Sequence, residues 1–143
     1  MVMREKAIQL LARREHSRLE LKQKLLARNY SEQEINTLLE TLETKNLQSD
    51  ARFAACYVRS RLAAGFGPLR IEAELQERGV SSSLIADNIY QADIHWEVEL
   101  KTLWQKKFNK TQNDIEKQYR FLQSRGYTLE QIKSAQRERV KTI

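Results

Sequence analysis

The pattern Arg78-Gly79-Val80-Ser81 decides the fold, because it recurs as Arg28-Asn29-Tyr30-Ser31 and as Arg125-Gly126-Tyr127-Thr128. In each copy the second residue tolerates positive φ, so it can end a helix in the left-handed conformation that costs most residues about 1–2 kcal/mol. The fourth residue is a hydroxyl that can cap the next helix, and the apolar residue before it can pack on an isoleucine in that helix. These isoleucines are Ile35, Ile85 and Ile132.

The copies are about 50 residues apart, which indicates a tandem repeat of small units. We predict an all-α fold of three tandem three-helix units, residues 1–45, 46–92 and 93–143, stacked into an elongated, curved rod. A unit of this size buries little apolar surface alone, so each unit must pack against its neighbour. The chain has only one Pro and four Gly, and good helix formers dominate the rest.

Local chemistry marks where helices begin and end. Capping boxes are predicted at Ser17 with Glu20, Ser31 with Glu34, and Thr128 with Gln131. The first helix of the second unit is predicted to have Asp50 as its N-cap. A proline is well placed at the first position of a helix, where its missing N–H is not needed. The predicted turn residues are Asn29, Gly67, Pro68, Gly79 and Gly126.

Apolar residues at helical spacing predict the core. For the first helix they are Ala7, Ile8, Leu11 and Ala12. The third unit is expected to begin near Asp93. Its first helix is expected to pack against the second unit through Trp96, Leu100, Leu103, Trp104 and Phe108. A polar loop is expected at 109–113, then a helix lined by Ile115, Tyr119 and Leu122, and a fraying basic tail after Arg137.

The basic charge of the chain is unevenly distributed. Lys and Arg number 25 against 19 Asp and Glu, a formal net charge of +6. Counted along the sequence, residues 1–50 carry +1, residues 51–95 carry 0 and residues 96–143 carry +5. This asymmetry favours an anionic partner near the C-terminal unit, either nucleic acid or an acidic protein face.

Catalysis is not expected, because few reactive side chains could converge. The two histidines, His16 and His95, precede helix starts and are expected to be turn or surface imidazoles. No spacing fits a metal site or a phosphate-binding loop, so no metal or cofactor is predicted. Glu72, Glu74 and Glu77 lie among arginines and are interpreted as members of ordinary intrahelical pairs.

The sequence also indicates the compartment. The lone cysteine, Cys56, excludes an internal disulfide, fits a reducing compartment and is expected to be a buried packing residue. No signal peptide and no run of eighteen apolar residues is found, so we expect a cytoplasmic, soluble protein with no membrane partner.

Binding chemistry is concentrated in two sets of cations. Guanidinium groups suit bidentate contact with carboxylate or phosphate better than lysine does. The second unit has five of them, at Arg52, Arg59, Arg61, Arg70 and Arg78. The third unit adds a basic patch of Lys106, Lys107, Lys110, Lys117, Arg120 and Arg125. Tyr119 and Phe121 interleave with this patch, but helical spacing places at least one of them in the core, which weakens an interpretation as base-stacking residues.

Two stretches carry a resemblance to a known family. They are Asp50-Ala51-Arg52-Phe53-Ala54 and the run Gly65-Phe66-Gly67-Pro68-Leu69-Arg70-Ile71-Glu72-Ala73-Glu74-Leu75-Gln76-Glu77-Arg78-Gly79-Val80. With Arg14-Glu15-His16-Ser17 in the first unit, they closely resemble the RecX family of RecA regulators. The last third matches more loosely, chiefly through Phe121-Leu122 and Arg125-Gly126-Tyr127.

The resemblance implies a non-enzymatic modulator of the RecA recombinase. Such a protein lies in the groove of the RecA filament on single-stranded DNA and bridges successive protomers. It slows filament extension, lowers ATP hydrolysis and strand exchange, and blocks repressor co-cleavage, so it damps the SOS response. A monomer is expected, with weak direct DNA contact as an addition.

A direct DNA-binding protein of helix-turn-helix type is the alternative, with the helix after Ser31, Ser81 or Thr128 as the recognition helix. Residues 32–42 and 82–92 hold no Lys or Arg, whereas a recognition helix normally brings such groups to phosphates and bases. Only the third unit has cations there, at Lys133, Arg137 and Arg139. A purely structural scaffold is a third possibility without positive support.

Overall fold

The computed structural model describes residues 2–108 and 114–141 of the chain. Within these residues it is all-helical, which confirms the predicted fold class. The helices are α1 (Met3–Arg13), α2 (Arg18–Leu26), α3 (Glu32–Thr44), α4 (Asp50–Ala63), α5 (Pro68–Glu77), α6 (Ser82–Ile89), α7 (Trp96–Lys107), α8 (Ile115–Ser124) and α9 (Leu129–Lys141). The predicted loop at 109–113, with Lys110, lies outside the described residues.

The turn between second and third helix is the same in all three units. Asn29, Gly79 and Gly126 have φ of 66°, 78° and 103°, as the repeated pattern predicts. The isoleucine of the following helix is buried each time: Ile35, Ile85 and Ile132 are at most 3% exposed. One local motif therefore sets the helix-to-helix geometry of each unit.

Helix caps follow the sequence closely, with two corrections. At Ser31 only half of the predicted capping box forms, because the hydroxyl accepts the N–H of Glu34 at 3.2 Å without a return bond from the Glu34 side chain. Ser17 and Glu20 form a full capping box. Thr128 and Gln131 form another, with its two hydrogen bonds at 2.9 and 3.0 Å. The N-cap of α4, however, is Ser49, whose hydroxyl accepts the N–H of Arg52 at 3.1 Å. Asp50 is instead the first residue of α4.

One expectation about the third unit is wrong. The chain after Arg137 is no frayed tail, since α9 continues to Lys141. The first helix of the unit begins at Trp96, and the segment after α6 stays irregular through His95. The guanidinium of Arg139 lies 4.3 Å from the ring centre of Trp104, a contact that holds the last turns of α9 against α7.

Each set of three helices encloses its own apolar core. The helix pairs that pack most extensively lie within α1–α3, within α4–α6 or within α7–α9. The largest fully buried side chains include Leu21 and Leu39 in the first core, Ile71 in the second and Trp104 in the third. The predicted boundaries fall in the connections after α3 and after α6, and their placement to the residue stays a prediction.

Some predicted core residues lie elsewhere. In α1 the buried seam runs through Ala7 and Leu10, so Ile8 is 41% exposed and Ala12 is exposed. Ile115, at the start of α8, is 39% exposed. Cys56 is only half-buried, and its Sγ accepts a hydrogen bond from Arg59 at 3.2 Å. Apolar residues spaced three or four apart are compatible with burial of either of two adjacent helix faces. Which face is buried depends on the helices that pack against it.

Polar contacts join the first unit to the second. The Asp50 carboxylate accepts the backbone N–H of Arg18 at 2.8 Å, so a residue of α4 caps α2. Gln48, which is 1% exposed, donates to the carbonyl of His16 and to Asp50. Arg52 donates to Glu15 at 2.9 Å. These contacts hold the two units at a defined angle.

Backbone contacts join the second unit to the third. The N–H of Gly67 donates to the carbonyl of Arg125 at 2.6 Å, and that of Leu69 to Gly126 at 3.0 Å. A Cβ on Gly67 would lie 2.7 Å from the backbone of Gly126, so only glycine permits this approach. Trp96 packs against the cores of both units, as predicted.

The surface area agrees with units arranged in a row. The accessible surface is 9066 Å² for a chain of 16.9 kDa. A compact globular protein of that mass is expected to expose about 7,700 Å². The predicted curvature stays a prediction. In the described part of the chain, no helix combines the length and apolarity that a bilayer crossing requires.

Candidate functional site

A strip of cations and aromatic rings crosses the junction of the second and third units. We call it the basic strip. It consists of the cations Arg61, Arg70, Arg78, Lys107 and Arg125 and the rings of Tyr57, Phe66 and Phe121, linked by the carboxylate of Glu74.

Phe66 is the centre of the basic strip. The guanidinium carbons of Arg61, Arg70 and Arg125 lie 3.7, 4.5 and 4.6 Å from the centre of its ring. The ring lies in the turn between α4 and α5, fixed by a backbone hydrogen bond from Phe66 to the carbonyl of Arg61 at 3.0 Å. Cation–π contact of this kind orients the arginines. Three positive groups are thereby gathered at one place on the surface.

A single carboxylate partly balances these arginines. Glu74 accepts two hydrogen bonds from Arg61 at 2.8 Å, one from Arg70 at 3.3 Å and one from the hydroxyl of Tyr57 at 2.9 Å. Partial burial raises the pKa of Glu74, but these hydrogen bonds outweigh it and hold the pKa below its ordinary value. Glu74 is therefore ionised at neutral pH, and it balances only one of the three arginines.

In the third unit the basic strip continues around Phe121. Arg125 lies 5.2 Å and Lys107 5.3 Å from the centre of this ring. The ring is anchored by an edge-to-face contact with Phe108, which is 6% exposed. Arg125 therefore contacts rings from both units and also donates to the carbonyl of Ala64 at 3.4 Å.

At its other end the basic strip reaches the first unit. Arg78 lies over Tyr57 at 4.9 Å and within 3.7 Å of Glu20, which is also paired with Arg14 at 3.0 Å. Burial raises the pKa of Glu20, but hydrogen bonds from Arg14 and from the N–H of Ser17 outweigh this effect and hold the pKa below its ordinary value. This carboxyl therefore stays ionised. A cleft of about 330 Å³ lies here between the first and second units.

Comparison with known proteins assigns the chain to a family. Models of the RecX first, second and third three-helix domains match residues 4–42, 49–87 and 98–135. A protein of Halorhodospira halophila named Regulatory protein RecX is 37% identical over 92% of this chain and 84% of its own length. The protein of that name in Chromohalobacter salexigens is 41% identical over 92% and 89%. This chain belongs to the RecX family.

Solved RecX structures have the same fold. The crystal structure of RecX from Lactobacillus salivarius superposes with a TM-score of 0.79, covering 95% of this chain and 93% of that one at 22% identity. A crystal structure of regulatory protein RecX gives a TM-score of 0.77 over 94% and 71% at 21% identity. The basic strip falls within the second and third RecX domains, since Arg61, Arg70 and Arg78 lie in the former and Lys107 and Arg125 in the latter.

The structure brings together only part of the predicted RecX site. Arg52 lies outside the basic strip: it joins the first two units through Glu15 and also donates to Asn46 in its own unit. Arg59 is exposed and contacts Cys56. Lys106, Lys117 and Arg120 are exposed on α7 and α8, and Lys110 lies outside the described residues.

The residues that organise the basic strip are not among the predicted site residues. Phe66 is one of them, although an aromatic residue between two glycines is a usable signal for a ring that sits in a turn. The interpretation of the glutamates as intrahelical pairs is incomplete for Glu74, which pairs with Arg70 on its own helix but also with Arg61 and Tyr57 on α4. It is wrong for Glu72, which accepts a hydrogen bond from Tyr90, the residue directly after α6. Such partners are distant in sequence.

The two histidines differ in their surroundings. His95 is exposed, but His16 is 1% exposed, so the surface interpretation is wrong for His16. Its Nε2 lies 2.8 Å from the ammonium of Lys24, and its Nδ1 lies 3.0 Å from the carbonyl of Arg14. This arrangement fits a neutral imidazole that accepts from lysine. Among the described residues, no three His, Cys, Asp or Glu side chains form a group that could hold a metal ion.

Proposed function

We propose that this chain is a negative regulator of the RecA recombinase. It binds in the groove of the RecA filament on single-stranded DNA and inhibits filament extension, ATP hydrolysis, strand exchange and repressor co-cleavage. It thereby controls recombination and the SOS response. Membership of the RecX family supports this proposal, since the similar curated proteins carry the name Regulatory protein RecX.

The basic strip is the observation that carries the proposal. A row of guanidinium groups can bind carboxylates of a protein filament or phosphates of its DNA. In this chain the row crosses a junction that backbone hydrogen bonds of Gly67 and Leu69 hold in place. Because the arginines are oriented before binding, little conformational entropy is lost on contact. A long, preformed surface suits a partner that is itself a repeating polymer.

The mechanism that we propose is non-enzymatic. A three-unit protein in the groove bridges successive protomers and occupies the space that incoming DNA or a repressor needs. The residues of the basic strip would bind and would not react. In this proposal the protein works as a cytoplasmic monomer with no cofactor, metal or membrane.

Direct DNA binding of the helix-turn-helix type has weaker support. The third helix of the first unit, α3, and that of the second, α6, carry no Lys or Arg. In α9 Lys133 and Arg137 are exposed, but Arg139 is stacked on Trp104. Two available cations among the described side chains of α9 give a minor DNA contact rather than a recognition surface.

Binding to filament and to naked strand separates the two functions. Labelled single-stranded DNA, with and without RecA and a slowly hydrolysed nucleotide, is titrated with the protein at several salt concentrations. We expect tighter binding to the filament than to the strand at every salt concentration. Equal binding, with affinity falling steeply with salt on both, would favour the direct DNA binder.

A further inference from the structure

The first unit has a cluster of basic side chains that its charge total of +1 conceals. Lys6 and Arg13 are seven residues apart on α1, and Lys24 and Arg28 are four apart on α2 and the turn after it. These spacings place the members of each pair on one helix face. Because α1 packs against α2, the two pairs form one surface, which we call the four-cation face.

No carboxylate within the described residues forms an ion pair with any member of the four-cation face. The ammonium of Lys24 donates to His16 instead. The stem of Lys6 is buried while its ammonium reaches solvent. Burial and the nearby positive charges of Arg28, Arg13 and Lys24 lower the pKa of Lys6, so Lys6 lies within electrostatic reach of the other three cations.

The acidic residues of the first unit lie elsewhere or are occupied. Four glutamates are on α3, at Glu32, Glu34, Glu40 and Glu43. Glu15 and Glu20 are paired with Arg52 and Arg14. The one acidic residue of α1, Glu5, precedes Lys6 and so points about 100° away around the helix. The fold therefore keeps four like charges together, an arrangement that an anionic ligand would relieve.

We propose that the four-cation face binds phosphate groups of a nucleic-acid backbone without reading sequence. Its composition favours this ligand over an acidic protein, because lysine is depleted and aromatic residues are enriched at protein–protein interfaces. Two lysines and two arginines with no ring among them instead match the side chains that contact phosphates. This contact goes beyond the proposed function in two ways. It uses the first unit instead of the basic strip, and it requires only naked DNA, without RecA.

The test is binding to a labelled oligothymidylate, followed by fluorescence anisotropy across a salt series. The variant R13Q/R28Q removes two exposed cations and keeps good helix formers. The control R4Q/K45Q removes two exposed cations of the same unit, one on the opposite side of α1 and one at the end of α3, so both variants have the same net charge. We expect R13Q/R28Q to weaken binding and to reduce the slope of log affinity against log salt by about 1.4, which is two phosphate contacts. The control should retain the wild-type slope.

Three outcomes would overturn the proposal. One is wild-type affinity and slope in R13Q/R28Q. A second is equal loss in both variants, which would mean that only net charge matters. A third is binding to poly-L-glutamate, sensitive to R13Q/R28Q, with no binding to the oligonucleotide, which would assign the face to acidic protein. Because RecA is absent, none of these results depends on the proposed function. Circular dichroism of each variant verifies that it is folded.

Discussion

At the scale of single residues, His16 makes stability depend on pH. Burial lowers the pKa of His16 below its ordinary value of 6.5, and Arg14 and Lys24 lower it further, while the Arg14 carbonyl and Glu20 oppose the change. The unfolded chain therefore binds a proton at a higher pH than the folded chain does. Stability is fully present above pH 6.5 and falls as the pH drops toward the pKa of the folded protein.

We expect His16→Gln to flatten this dependence. Glutamine can accept from Lys24 but takes up no proton in this range. Urea denaturation at about pH 7 and about pH 5.5 compares the two proteins above the range where the glutamates titrate. The free energy of unfolding should fall more in the wild type than in the variant. An identical fall in both would show that His16 does not titrate on unfolding.

Gly79 tests the repeated turn at the same scale. Its φ is 78°, and an added Cβ would lie 2.9 Å from the Cβ of Leu19. Gly79→Val should therefore lower the free energy of unfolding by about 1–2 kcal/mol or more, since a β-branched residue is disfavoured at positive φ. Thermal or urea unfolding measures the change. Asn29→Gly, at the equivalent turn of the first unit with φ of 66°, is the control and should lose little. Unaltered stability of Gly79→Val would contradict the assigned conformation.

Local sequence predicts residue conformation well and burial less well. The positive φ of Asn29, Gly79 and Gly126 follows from residue type and the capping residues beside them. The burial of His16 does not, because it depends on Gln48 and on Lys24, which come from other segments. Short-range chemistry is visible in the sequence, whereas contact between segments depends on how the helices dock.

At the scale of elements, helices of one unit complete those of the next. Asp50 illustrates this, because its carboxylate caps α2 from the start of α4. A good N-cap residue before an apolar stripe predicts a helix start, and α4 does begin there, with Ser49 as its cap. The second role of Asp50 was not predictable, since the partner N–H lies 32 residues away.

Asp50→Ala should destabilise the junction of the first two units. The change leaves the N–H of Arg18 without its acceptor, and loss of a capping group costs about 1–2 kcal/mol. Urea denaturation gives the change in free energy of unfolding. Asp87→Ala, at an exposed position of α6, is the matched control and should stay within about 0.5 kcal/mol of wild type. Equal effects of the two substitutions would show that the hydrogen bond from the Arg18 N–H to Asp50 does not stabilise the protein.

At the scale of the whole molecule, the three units form one frame that carries the basic strip. The repeat, the helix order and the all-α class were predictable, because the same local signals recur along the chain. Which arginines converge was not, since Arg61 and Arg125 meet at Phe66 only after the second and third units dock. The distribution of net charge predicted a binding surface in the third unit, but the basic strip spans the junction of the second and third units.

Charge reversal at Lys106, Lys107 and Lys110 together tests the C-terminal end of this surface. Lys107 belongs to the basic strip and Lys106 is exposed beside it. Each exposed charge contact contributes about 0.2–1 kcal/mol, so the protein concentration for half-inhibition of RecA ATP hydrolysis should rise by about tenfold. Circular dichroism should show unchanged helicity. Unchanged inhibition by the folded variant would remove these lysines from the binding surface.

The rate of ATP hydrolysis by RecA on single-stranded DNA, followed as this protein is added, tests the proposed function most directly. The account predicts that the rate falls progressively with added protein, because a preformed three-unit frame occupies the filament. A rate that stays constant at all protein concentrations, with the protein folded, would contradict it.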